Sequence, residues 1–133
     1  MSFTENDYNA LTEKIIQACI EVHNELGPGL LESVYEVCTY EVLKRNGIKV
    51  NSQVRLPVTF KGNKLDKEFI IDLLVEDKII LELKAIEVIL PIHEAQLVTY
   101  LKLADKKLGL LINFNVPLLK QGIKRKINGN LNS

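Results

Sequence analysis

The chain has 133 residues, 47% hydrophobic and 26% charged, which bounds it to one globular domain, 1–133, with room for a real core. Seventeen basic and seventeen acidic residues cancel to a formal net charge of zero, which argues against coating a nucleic acid by bulk electrostatics. There is no apolar run of about eighteen residues and no basic-then-apolar leader at the N-terminus, so the expected location is the cytoplasm.

From about Asn6 to Leu26 the chain reads as a helix, with Leu11, Ile15, Ala18, Cys19, Val22 and Leu26 recurring at helical spacing. Gly27-Pro28-Gly29 stops it and starts another, from about Leu30 to Asn46, expected to bury Leu31, Val34, Cys38 and Val42 and to end at Asn46-Gly47. Cys19 and Cys38 fall on these apolar faces and read as buried free thiols. With no CxxC and only His23 and His93 as histidines, the chain has no zinc pattern. His23, on a largely apolar helix, reads first as a structural histidine, and His93 as a surface helix residue.

From Ile48 the period changes to two: Val54, Leu56, Val58 and Phe60 alternate up to a turn at Lys61-Gly62-Asn63-Lys64. Pro57 marks this strand as an edge or an interrupted one. A second strand runs from about Asp66 to Val75. Pro91 opens a helix to about Leu103, with Leu97, Val98 and Leu101 as its core face and Gln96 and Tyr100 together on one side. A short apolar strand, Leu108 to Phe114, and a strand or extended tail, Gly122 to Ile127, complete the order. It indicates an α/β domain with a mixed sheet. Two basic clusters, Lys102, Lys106 and Lys107, and Lys120, Lys124, Arg125 and Lys126, read as solvated faces when taken alone.

The stretch from Phe69 to Ile86 is the anomalous one. It is two apolar strands joined by Glu76-Asp77-Lys78, yet it carries Asp72, Glu82 and Lys84 where a buried strand should hold Val or Ile. Burying a charge costs several kcal/mol unless it is paired or bound to a metal. If Glu76-Asp77-Lys78 is a three-residue loop, Val75 faces Ile79, and counting back sets Asp72 opposite Glu82, with Lys84 on the same face. Two adjacent carboxylates repel unless a cation lies between them. Acid, acid and lysine on one face make a divalent-metal site with a cationic partner.

These residues also form part of a longer ordered series. Gly29-Leu30-Leu31-Glu32-Ser33-Val34-Tyr35 reads GxxExxY, and Asp72, Glu82-Leu83-Lys84 and Gln96-x-x-x-Tyr100 follow, with Gly109 to Phe114 closing the set. Nearly end to end, the chain resembles the bacterial and archaeal GxxExxY family of small PD-(D/E)xK nuclease-like proteins. Ile71 stands where the superfamily signature carries proline. The resemblance implies a restriction-endonuclease-like fold, a mixed central sheet flanked by helices. It implies that Asp72, Glu82 and the Leu83 backbone carbonyl ligate Mg²⁺ or Mn²⁺, completed by Glu32 directly or through water. Lys84 would orient the attacking water, and Gln96 and Tyr100 would help to place the lysine and the substrate strand.

The function that the resemblance implies is metal-dependent hydrolysis of DNA, leaving a 5′-phosphate. The alternative is a catalytically silent nucleic-acid-binding or protein-interaction module on the same fold. Neutral charge and small size call for help in gripping a duplex: a second copy, a partner protein, or an already opened strand.

Overall fold

The first helix, α1 (Glu5–Leu26), is set by its cap. The Asp7 amide donates to the Thr4 hydroxyl oxygen, and the Thr4 amide donates back to the Asp7 carboxylate at 2.8 Å, which satisfies two otherwise open donors. In this computed structural model, which describes residues 2–132, α1 ends at Gly27, whose amide donates to the His23 carbonyl at 2.8 Å. Gly27 has φ +71°, a conformation that costs a side chain-bearing residue energy. The second helix, α2, is Glu32–Arg45, and the third, α3, is Pro91–Ala104 with proline in its first turn.

Five strands form one mixed sheet whose spatial order is the chain order: β1 (Val50–Phe60), β2 (Asn63–Val75), β3 (Ile79–Lys84), β4 (Leu108–Asn113) and β5 (Ile123–Ile127). Pairs β1–β2, β2–β3 and β4–β5 are antiparallel, whereas β3–β4 is parallel. A parallel pair needs a crossover, and α3 supplies it. The alternation along β3 and β4 then sorts the helices. Ile79, Leu81, Leu83, Leu108, Leu110 and Ile112 pack with α1 and α2, while Ile80 and Leu111 pack with Leu97, Tyr100 and Leu101 of α3. Helices therefore cover both faces, the α/β arrangement expected. Gly109 lets α3 approach, because a Cβ there would lie 2.7 Å from Leu97 Cδ1.

Pro57 is on an edge strand, and the β1–β2 pairing shifts register between Pro57 and Thr59. Strand β1 begins at Val50, before the clean alternation, and β2 at Asn63 rather than Asp66. The tail segment is a strand, β5.

Two buried faces differ from expectation. Helix α2 buries Tyr35, Thr39 and Leu43; Leu31 and Val34 are exposed, and Cys38 and Val42 half-buried. The real stripe lies one residue, about 100° of helix, from the expected one. Cys19 is fully buried beside Thr39, and burial pushes its thiol up to about 12. On α3 the core residues are Leu97, Tyr100 and Leu101, with Val98 half-buried. Among the described residues no helix is long and apolar enough to cross a membrane.

Candidate active site

The β2–β3 hairpin turns through Glu76 and Asp77, both at positive φ, and the Lys78 amide donates to the Val75 carbonyl at 2.9 Å. Pairing runs Val75↔Ile79, Leu74↔Ile80 and Leu73↔Leu81, the register expected from a three-residue loop. The next step would be Asp72 opposite Glu82, and there side chains take over from the ladder. The Asp72 amide donates to Glu82 Oε2 at 2.8 Å, and the Leu83 amide donates to Asp72 Oδ2 at 2.8 Å. Each carboxylate thus satisfies an amide of the other strand, which a strand pulling away would otherwise leave open.

The core clusters show where β2 turns. Leu73 and Val75 pack with α1 and α2, but Ile71, two residues earlier, packs with α3. Its partner strand does the same, with Val50 on the α1–α2 side and Val54 on the α3 side. A strand that kept its period of two would hold all of these on one face. Asp72 stands at the step where both strands change face, and so it reaches toward α2.

Tyr35 fixes how α2 meets this step. Its hydroxyl donates to the Gly27 carbonyl at 2.6 Å and accepts from the Leu30 amide at 3.1 Å, closing the loop ahead of the helix. Its ring stacks on Phe114 with centroids 4.5 Å apart. With Tyr35 turned into the core, Glu32 and Glu36 both feel the charge of Asp72. Glu36 was not singled out from the sequence. It lies one turn after Glu32, and that i, i+4 pairing of acids is the signal that could have found it. Its carboxyl lies within hydrogen-bonding reach of Asp72 and accepts from Gln53 Nε2 at 2.8 Å.

Lys84 lies two residues beyond Glu82, close enough for its charge to act on Glu32, Asp72 and Glu82, and it forms no ion pair within 4.0 Å among the described residues. The strand end that carries it is pinned by Asn113, which is 2% exposed. Asn113 Nδ2 donates to the Ile86 carbonyl at 2.8 Å and Oδ1 accepts from the Ile86 amide at 3.1 Å, while the Phe114 amide donates to the Lys84 carbonyl at 2.9 Å. On the α3 side, Tyr100 is buried against Phe69, ring centroids 5.4 Å apart, and feels the charges of Glu82 and Asp72. Gln96, one turn earlier, is exposed to solvent. His23 hydrogen-bonds through Nε2 to the Val116 carbonyl at 2.8 Å, a structural partner; His93 caps α3, its Nδ1 accepting from the Leu90 amide at 2.9 Å.

Four carboxyls and one lysine make this cluster electrostatically uncomfortable. Burial and then the Asp72 charge push Glu82, only 4% exposed, up to about 8. Burial likewise raises Glu32, Glu36 and Asp72, and the contact between Glu36 and Asp72 pushes Glu36 further up while drawing Asp72 back down. Lys84 offsets only part of this. Among the described residues no three acidic, histidine or cysteine side chains are already gathered tightly enough to hold a metal ion. The donor chemistry nonetheless fits a hard divalent cation: carboxylates alone, Asp72 and Glu82 each with one oxygen on an amide and Asp72 also against Glu36, beside the Leu83 main chain. Added positive charge is what this cluster lacks.

The crystal structure of SSO0001 shares this fold with a TM-score of 0.51 at 23% identity; the match covers 75% of the chain and 50% of that protein, so the chain spans about half its length. No curated protein matches the chain. The family model of the PD-(D/E)XK nuclease superfamily matches residues 9–126, and to that superfamily the chain belongs.

Proposed function

We propose that the protein, acting as one unit over residues 1–133, is a Mg²⁺- or Mn²⁺-dependent nuclease that hydrolyses phosphodiester bonds in DNA, of the GxxExxY type carried by Gly29, Glu32 and Tyr35. The observation that carries this reading is the crossed hydrogen bonding of Asp72 and Glu82, with Lys84 two residues on. Asp72, Glu82 and the Leu83 carbonyl would hold the ion, with Glu32 completing the set. Bound there, the ion supplies Lewis acidity toward a phosphoryl oxygen and makes water a better nucleophile. Lys84 orients the attacking water and meets the negative charge that grows on the phosphate. Gln96, exposed on α3, would meet the substrate strand, and Tyr100, buried one turn on, would help to place the lysine from beneath. A second copy or a partner protein would widen the grip that a neutral chain of this size offers.

The test is a Mn²⁺-supported cleavage assay over single-stranded, duplex and flapped DNA and RNA, with Lys84→Ala beside the wild type. Wild-type cleavage of DNA is expected to fall on the order of a hundredfold or more in the variant. Cleavage that survives Lys84→Ala would refute the mechanism.

A further inference from the structure

Gln53 is a non-glycine residue at φ +52° in the interior of a strand, whereas Lys61, Glu76, Asp77 and Asp105, which share that sign, lie in turns or at a helix cap. A side chain-bearing residue in the left-handed region is strained, and such strain persists only where its surroundings hold it. Its place in the register is informative. Pairing Ser52↔Leu73 and Val54↔Ile71 on either side sets Gln53 opposite Asp72. The left-handed residue and the acid therefore occupy the same step, the one at which β1 and β2 change face and the β2–β3 pairing gives way to side-chain hydrogen bonds. From that kink Gln53 Nε2 reaches α2 and donates to Glu36 Oε2 at 2.8 Å, and Glu36 in turn lies against Asp72.

We infer that Gln53 is a positioning residue for Asp72, acting through Glu36. Its kinked backbone turns β1 so that Asp72 can leave the ladder, and its amide holds Glu36 at the angle that orients the Asp72 carboxylate. This deepens the nuclease reading and rests on Asp72 being a ligand of that site.

The experiment uses the full chain with Gln53→Gly, which adopts the left-handed backbone freely but removes the amide, and Gln53→Asn, which tolerates that backbone with a shorter arm. Without metal, amide hydrogen exchange at Leu83 reports whether Asp72 stays in place. Both variants are expected to exchange about tenfold faster at Leu83, the size of one hydrogen bond, while Leu110 stays as in the wild type. Exchange at Leu83 unchanged in both would overturn the proposal whether or not the protein binds metal. With metal, calorimetry with Mn²⁺ should show about a tenfold weaker Kd in Gln53→Gly, and little further loss when the same change is made in Glu36→Ala. Equal losses in both backgrounds would mean that Gln53 does not act through Glu36, and the proposal falls. The nuclease reading is judged separately, by whether wild type binds Mn²⁺ and Glu82→Gln does not.

Discussion

Glu82 holds its proton far above the ordinary carboxylate range, up to about 8, because burial and Asp72 both disfavour its charge. Its contribution to stability is therefore fully present below the unfolded-state value, near 4.5, and is lost as pH rises toward about 8, since the folded chain binds a proton over that interval that the unfolded chain has released. A shift of this size corresponds to a few kcal/mol at most, roughly. Glu82→Gln keeps the shape and removes the titration. Urea unfolding of the metal-free protein should show the variant more stable than wild type at pH 9, with the gap closing toward pH 5.5. A gap that widens on acidification would contradict the assignment. Mn²⁺ reverses the sign for wild type: binding must expel that proton, so affinity should climb from pH 6 to pH 8, and calorimetry in two buffers of different ionisation heat should detect the released proton. At this scale the sequence was informative where a charge sat in an apolar run, as with Asp72, Glu82 and Lys84. It was silent on Gln53, because a left-handed angle is legible where it selects Gly or Asn and glutamine carries no such signal.

Among the elements, α2 shows how one loop decides a site. Two helical stripes compete in its sequence, Leu31, Val34, Cys38 and Val42 against Tyr35, Thr39 and Leu43, and apolar composition favours the first. The Tyr35 hydroxyl bonds to Gly27 and Leu30 settle the rotation for the second, and that same rotation brings Glu36 to Asp72. The displaced stripe and the placement of Glu36 thus have one physical cause. Tyr35→Phe keeps the stacking on Phe114 but leaves the half-buried Gly27 carbonyl and the Leu30 amide with one partner fewer, at a cost of about 1 kcal/mol in urea unfolding. It should also weaken Mn²⁺ binding if Glu32 depends on that loop. The hairpin was far more legible, since loop length and strand period together fix a register that one slip would invert. At the far end of β4, Gly122 packs where a Cβ would lie 2.1 Å from the Asn113 carbonyl oxygen, a contact with backbone that cannot swing away. Gly122→Ala should cost about 3 kcal/mol or more, and its loss should spread to Lys84 through the Asn113 clasp on Ile86.

Across the whole molecule the sheet divides into two parts of unequal security. Strands β3 and β4 are buried between helices on both faces, every residue of β4 included. The outer half of the β1–β2 hairpin is exposed on both faces: Pro57, Thr59 and Phe60 on one strand and 63–68 on the other, with only Val58 half-buried. A two-stranded ribbon with no covered face is marginal in water, and the register shift beside Pro57 loosens it further. Stability should therefore rise steeply along a single strand, from an arm that opens readily to a core that opens only with global unfolding. Native-state hydrogen exchange tests this directly. Amides within 59–68 should exchange at least about a hundredfold faster than those of Leu81, Leu110 and Leu111, with the change falling near Ile71 and Asp72, where β2 joins the core. Uniform protection along β2 would mean that the arm is held by contacts the fold does not show. The expected gradient puts the site at the boundary itself: Glu82 on the rigid side, and Gln53 and Asp72 where the arm meets the core.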